Sequence, residues 1–347
     1  MSDKQTAPTL ELAHTAMSEE DALRFLDGHR ISRGARTMDP KAQIVGEFVK
    51  SIRVPGYHPS LPELRQQLRT MVRIMDEPAP ALTRIEDIGI PGPAGAIGAR
   101  VYSSAAKTAP ARPVVAYFHG GGWVQGDLET HHGLCARLAE RAGAIVVAVD
   151  YRLAPEHKFP AAVEDCLAAY RWLRSHATEL GGDAERVALA GDSAGGNLSA
   201  VVSQLSAAAG DPVPTCQALI YPGLDFSLDT PSHQEFEDGH VIPRDRIVWY
   251  MEQYLRTDAD RLDPKASPIR AKDLAGQPPT MVVTAGFDPL RDEGLAYAER
   301  LRAAGVDVVY REYPGQIHAF VSLTKAIPQG LACTMEIGDY LRSRLER

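Results

Sequence analysis

Arg186-Val-Ala-Leu-Ala-Gly-Asp-Ser-Ala-Gly-Gly-Asn197 changes its periodicity half-way along, and that change decides the fold. Residues 187–190 are a short apolar run suited to a buried strand. From Ala194 onward, Ala194, Leu198, Val201, Val202, Leu205 and Ala208 recur at the spacing of one helical face. Only a very tight turn fits between strand and helix, and it carries Gly191, Asp192, Ser193, Ala194 and Gly195, a G-x-S-x-G pattern. Glycines two before and two after the serine keep side chains out of the place where the two backbones converge. Such a turn holds Ser193 in a strained conformation, with its hydroxyl at the carboxyl edge of a sheet and beside a helix amino end. The pentad alone also fits an ordinary strand-to-helix turn, so its meaning rests on the rest of the chain.

Working outward, strands and helices alternate from Thr83 on. Residues 84–90 and 97–102 flank Pro91-Gly-Pro-Ala-Gly95, a hairpin spacing that predicts an antiparallel pair at one sheet edge. Further strands are expected at 114–118, 144–149, 187–190, 218–221, 281–285 and 306–313. Most are continuous apolar runs, which implies burial on both faces and a mainly parallel sheet. Helical patterns lie between them, at 134–142, 161–173, after Ser193, at 293–304 and at 333–345. This order predicts an open α/β sheet covered on both sides, with its site outside the carboxyl ends of the strands.

Two stretches fall outside that rhythm. Residues 1–80 read as helical without strand signals. Ser18-Glu-Glu-Asp21 is a capping box for a helix over 22–26, and Ser60-Leu-Pro-Glu63 opens another that runs to about Met75. Residues 225–278 are too long for a simple connection and hold one amphipathic helix near 244–255. Either stretch suits a lid, and the first equally suits a packing extension.

The 347 residues, 44% hydrophobic and 24% charged, suffice for one large domain with accessory segments or for two modest ones. The net charge of -8 and the absence of any basic run argue against nucleic acid as a partner. The longest apolar run, 144–149, is too short to span a bilayer, and the polar start Met-Ser-Asp-Lys-Gln resembles no targeting segment; the expectation is a cytoplasmic protein without stable membrane association. Cys135, Cys166, Cys216 and Cys333 lack C-x-x-C spacing and read as free thiols. Oligomeric state stays open, a homodimer included.

A nucleophilic serine needs a base, a group that orients the base, and donors for a developing oxyanion. The acid candidate is Asp288, just past the strand 281–285. Asp292 and Glu293 compete with it, but they fit better as first-turn acids of the following helix. The base candidate is His318, the one histidine of eleven that follows Asp288 in the chain. Serine, then acid, then histidine is the chain order this kind of sheet uses. His119-Gly-Gly-Gly-Trp123 follows the strand 114–118, and its glycines let backbone N–H groups approach a substrate oxygen. Gly121 and Gly122 are assigned as two donors, with Gly120 the alternative in a shifted register, and Ala194 is the third. His119 is expected to hold its loop by hydrogen bonds, and Asp150 to serve the Tyr151-Arg152 turn. His131-His132 has no i+4 partner and Thr130 reads as a helix cap, so no metal site is expected. Trp123, Tyr221 and Phe320 are placed to line a pocket or to be ordinary core.

Taken together, His119-Gly-Gly-Gly-Trp-Val-Gln-Gly-Asp127, Asp150-Tyr-Arg-Leu-Ala-Pro-Glu-His157, Gly191-Asp-Ser-Ala-Gly-Gly-Asn197, Asp288-Pro-Leu-Arg-Asp-Glu-Gly294 and Gly315-Gln-Ile-His318 resemble the hormone-sensitive lipase family of α/β-hydrolases, the bacterial family IV carboxylesterases. The likeness covers about residues 80–347. It implies an eight-stranded sheet under a helical cap, built here from residues 1–80 and the insertion 225–278, with a catalytic domain over 81–347. It implies hydrolysis of short- to medium-chain carboxylic esters, small-molecule substrates, without a cofactor, by Ser193, His318 and Asp288. Ala319 departs from the pattern, since relatives commonly have glycine after the histidine. Certain plant hormone receptors resemble the family but have lost the base, which is retained here.

Overall fold

The computed structural model describes residues 10–54, 57 and 59–346, so the first nine residues, on which the targeting argument rested, lie outside the described residues. The amino-terminal part carries α1 (Glu19–Leu26), the two-residue strands β1 (Ser32–Arg33) and β2 (Arg36–Thr37), α2 (Pro40–Ser51) and α3 (Leu61–Met75). Both expected starts hold, Ser18 as a simple cap whose side chain accepts from the Asp21 amide, and Ser60 in a capping box in which Glu63 accepts from the Ser60 amide at 3.0 Å. The expectation of a strand-free start is corrected by the β1–β2 hairpin, and α2 adds a helix that periodicity did not single out. Its local signal is present, since Asp39 accepts from the amides of Lys41 and Ala42 and Pro40 occupies the first turn.

The sheet follows with β3 (Arg84–Gly92), β4 (Gly95–Ser103), β5 (Arg112–Phe118), α4 (His132–Ala142), β6 (Ile145–Asp150), α5 (Ala161–His176), β7 (Gly182–Asp192), α6 (Ala194–Ala209) and β8 (Gln217–Ile220). The insertion then holds α7 (Pro231–Glu235) and α8 (Arg244–Tyr254), one short helix more than expected. The chain returns through β9 (Thr280–Phe287), α9 (Arg291–Ala303), β10 (Val308–Ile317) and α10 (Gln329–Leu345). Eight strands lie in the order β10-β9-β8-β7-β5-β6-β4-β3. The β3–β4 and β4–β6 pairs are antiparallel and the rest parallel, as the hairpin at one edge and the apolar runs elsewhere predict.

Alternation along β5 shows how the sheet is covered. Val114, Ala116 and Phe118 join a core with Cys166, Tyr170, Leu198 and Val201 of α5 and α6. Val115 and Tyr117 point the other way, into a core with Leu134, Leu138, Ile337 and Leu341 of α4 and α10. All four cysteines are buried free thiols. The amino-terminal part is fastened to this body by polar ties. Asp76, just past α3, receives Arg137 of α4 at 2.7 Å and the Thr324 hydroxyl at 2.6 Å, while the Asp39 amide donates to Gly315. Among the described residues no helix is long and apolar enough to cross a membrane.

Two local expectations are corrected. Thr130 does not cap α4: His131 holds the cap position, and the Thr130 hydroxyl closes a turn with Asp127 instead. Arg152 is held by Asp165 rather than Asp150, its amide and guanidinium both donating to that carboxylate.

Candidate active site

The register of the sheet brings four strand ends together. Phe118 of β5 pairs with Gly191 of β7, and Phe287 of β9 with Ile317 of β10. His119, Ser193, Asp288 and His318 therefore leave the same edge within a few residues of their strands. At the elbow Ser193 has φ 52° and ψ -115°, the strain its turn requires. A side chain at Gly195 would overlap the Phe118 carbonyl oxygen, so only glycine lets α6 start so close to β5. The Ser193 amide donates to Ile220 at 2.8 Å and fixes the turn against β8.

The three side chains singled out around this serine meet. His318 Nε2 lies 2.9 Å from Ser193 Oγ, and its Nδ1 lies 2.7 Å from Asp288 Oδ2. Asp288 is wholly buried, and its other oxygen accepts the Leu290 amide at 2.9 Å. With Nδ1–H donating to the carboxylate, Nε2 is left to accept from the serine hydroxyl. The Tyr221 ring packs against the imidazole, with centroids 4.7 Å apart. Asp292 and Glu293 are first-turn residues of α9, where they also receive the Ser232 and Leu224 amides; neither reaches the histidine ring.

The glycine loop bears on the choice of register. Gly120 N–H donates to Asp192 Oδ1 at 2.9 Å and is engaged, whereas the amides of Gly121 and Gly122 have no partner among the described residues. Both glycines have positive φ, 119° and 62°, and the Tyr250 ring covers Gly122 so closely that a Cβ there would meet it at 2.5 Å. Ala194, at the first position of α6, has an amide that a helix start leaves unpaired. These three amides and the Ser193 hydroxyl face one cleft.

Behind the loop stands a buried group that the sequence reading missed. Asp192 receives the Tyr117 hydroxyl at 2.7 Å and lies 3.1 Å from His131 Nε2. Burial alone would raise the Asp192 carboxyl, but His131, Tyr117 and Gly120 N–H together hold it below the usual carboxylate range. Burial lowers His131, and the Asp192 charge outweighs it and raises the imidazole. The pair is a buried post that pins Gly120 and leaves the next two amides unpaired. The only hint was Asp192 itself, the variable residue before the serine. His119 does hold the loop, through Nδ1 to Gly120 O at 2.8 Å and a stack on Tyr151 at 4.3 Å; burial, then His131, lower it to about 4.

The cleft has a volume of about 720 Å³ and mostly apolar walls. α2, α3 and the described residues between them form one side, with Phe48, Leu68 and Met71. The insertion forms the other, with Ile247, Tyr250 and Met251. Trp123 lines it, stacked on Tyr254 at 4.6 Å, while Tyr221 and Phe320 are buried core. Ala319 lines it too, with φ 65°, a left-handed conformation that accounts for the glycine expected there. Among the described residues no cluster of three or more His, Cys, Asp and Glu side chains is arranged to hold a metal; His131 is taken by Asp192 and His132 by Tyr102.

A sequence profile of the alpha/beta hydrolase fold matches residues 115–322. The chain belongs to the α/β-hydrolase family. Within it, the carboxylic ester hydrolase LipN of Mycobacterium tuberculosis is 41% identical over 329 residues, 92% of this chain and 86% of that protein. The carboxylesterase NlhH of the same organism is 46% identical over 226 residues, 64% of this α/β-hydrolase and 70% of that one. Among solved structures, the hyperthermophilic esterase of the archaeon Pyrobaculum calidifontis superposes with a TM-score of 0.81 at 40% identity, covering 87% of this chain and 96% of that one. An ester-hydrolase from the metagenome of Lake Arreo gives 0.84 at 39% identity, covering 89% and 100%. The resemblance to the hormone-sensitive lipase family seen in the motifs is borne out.

Proposed function

We propose that this carboxylic ester hydrolase cleaves short- to medium-chain esters through an acyl-enzyme on Ser193. The observation that carries the assignment is His318 bridging Ser193 Oγ and buried Asp288 at 2.9 and 2.7 Å, at the bottom of an apolar cleft. In the first step His318 Nε2 takes the Ser193 proton as Oγ attacks the ester carbonyl. The amides of Gly121, Gly122 and Ala194 hold the tetrahedral oxyanion. The same nitrogen then protonates the leaving alcohol, and in the second step it takes a proton from the water that attacks the acyl-enzyme. Asp288 keeps Nδ1–H in place and stabilises the imidazolium that forms in between. The balance is one ester and one water to one acid and one alcohol, with no cofactor.

Residues 1–80 and 225–278 are read as a cap over a catalytic domain spanning 81–347, a division supported by the way both pieces wall the cleft. A cytoplasmic location is supported by four unpaired, buried thiols. The net charge of -8 weighs against a nucleic-acid partner.

A series of 4-nitrophenyl esters from acetate to palmitate, with anilides of the same acids alongside, tests the reading. The expected result is a maximum in kcat/KM at short or medium chain and little turnover of any anilide. A maximum at palmitate, or anilides cleaved as well as esters, would overturn it.

A further inference from the structure

The walls of the cleft carry an imbalance of charge. Three acids line it, Asp192, Asp225 and Glu293; each accepts at least one hydrogen bond, Glu293 through Oε1 while its Oε2 has none. Asp225 receives Arg270 at 3.0 Å, and Glu293 accepts the Leu224 amide at 2.9 Å with His233 Nε2 3.6 Å away. Asp192 is held by His131, Tyr117 and Gly120. Two arginines line the same cleft, and neither forms an ion pair with a carboxylate among the described residues. Arg53, just past α2, donates to the carbonyls of Gly239, His240 and Val241 at 3.3, 3.0 and 3.3 Å, which tethers the amino-terminal part to the insertion. Asp245 and Asp238 act on Arg53 only from a distance, and Asp238 is 3.8 Å from Lys50.

Arg246 is the more exceptional of the two. It stands in the first turn of α8, four residues before the Tyr250 that covers Gly122, so both side chains lie on one helix face a single turn apart. Its guanidinium rests 5.7 Å from the Trp249 ring centroid, and its Nη1 is buried without a hydrogen-bond partner. A buried donor on a cation is costly to leave unpaired, and a carboxylate is the group that meets a guanidinium best.

We propose that the cleft selects esters carrying a carboxylate at the end of the chain remote from the reacting carbonyl, half-esters of dicarboxylic acids being the type. Arg246 receives the carboxylate, Arg53 adds to the positive field at the same mouth, and the apolar walls take the methylenes between. This rests on the esterase reading above and names its substrate class.

The probes are the 4-nitrophenyl half-ester of adipic acid and the neutral 4-nitrophenyl ester of monomethyl adipate. The readout is the ratio of their kcat/KM values, acid over neutral, for the unaltered enzyme, Arg246→Gln and Arg246→Lys, at low and high salt. The unaltered enzyme is expected to give a ratio above one that falls as salt screens the attraction. Arg246→Gln is expected to lower the ratio roughly ten-fold, through KM of the half-ester, and Arg246→Lys to keep it within about three-fold. A ratio below one in the unaltered enzyme, or one unchanged by Arg246→Gln in a folded variant, would overturn the proposal. Should that variant not fold, the ratio and its salt dependence in the unaltered enzyme decide alone. Failure to cleave the neutral ester at all would instead strike the esterase reading.

Discussion

At the floor of the cleft, Ser193 and His318, with Asp288 buried beneath them, lie at the carboxyl ends of β7, β10 and β9, each fixed by backbone hydrogen bonds or a neighbouring ring. Along the wall from α2 to α3, Ile52, Val54 and Tyr57 keep 64, 61 and 56% of their surface in solvent, and much of the contact is apolar. The floor is specified by close approach of backbones, where one added carbon collides with a carbonyl. The wall is specified by side-chain bulk on segments that polar ties, such as Asp76 to Arg137 and Arg53 to three carbonyls, hold against the body. Reaction and selection therefore reside in different parts: changes at the floor should alter turnover of every ester, and changes at the wall should alter which ester is turned over.

The largest expected effect breaks the floor. Ser193→Ala or His318→Ala should each lower kcat on the order of a million-fold, with the double variant little worse, because the groups act as a unit. Steady-state kinetics on 4-nitrophenyl butyrate reads this, and strictly multiplying losses would mean that the two residues act separately.

Next comes the glycine loop proposed to hold the oxyanion. Gly122→Ala forces a Cβ into the Tyr250 ring at a positive φ, and should displace the amide. Loss of one such donor lowers kcat by about 100-fold or more, and the loss should be the same for acetate and hexanoate esters. A loss confined to the longer ester would assign Gly122 to the wall.

Behind the wall, His240 of the insertion packs against α2, its Cβ against Gly46. Burial, with Lys50, Arg33 and Arg53 nearby, lowers its imidazole to about 4. The unfolded chain protonates this group near the ordinary value of about 6.5, so between the two values it binds more protons than the folded one. The stability is therefore complete above about pH 6.5, declines as pH falls toward about 4, and changes no further below that. The slope is about 1.4 kcal/mol per pH unit, amounting to about 3 kcal/mol across the window. His240→Asn should flatten the curve of unfolding free energy against pH by about one proton there, measured by urea titration. Parallel curves would contradict it.

The smallest effect concerns Ala319. Glycine would relieve the left-handed strain of about 1 kcal/mol but enlarge the entropy of the unfolded chain by a similar amount. Ala319→Gly should move Tm by less than about 2 °C. A ten-fold change in kcat/KM would instead show that the Ala319 Cβ touches substrate.

Legibility in the sequence follows the same division. The G-x-S-x-G turn, the glycine triplet and the order of Ser193, Asp288 and His318 could be read because tight backbone approaches demand particular residues at fixed offsets. Apolar runs 4–8 residues long gave the strands for a similar reason. The β1–β2 hairpin escaped because two-residue strands have no period; Arg36 reaching Glu312 and the Asp39 amide reaching Gly315 help hold it in place. α7, five residues long, escaped likewise. The Asp192–His131 post was invisible because its partners are 61 positions apart in the chain and meet only across β5 and β7. Arg246 was not singled out in the sequence, because its place in the cleft depends on contacts with distant elements.

Mass spectrometry after treatment with a 4-nitrophenyl alkylphosphonate tests the central assignment most directly. One adduct is expected, on the peptide containing Ser193, with esterase activity lost in proportion to the labelled fraction and no adduct on Ser193→Ala. Full activity in protein labelled at Ser193, or inactivation through an adduct on another residue, would contradict it.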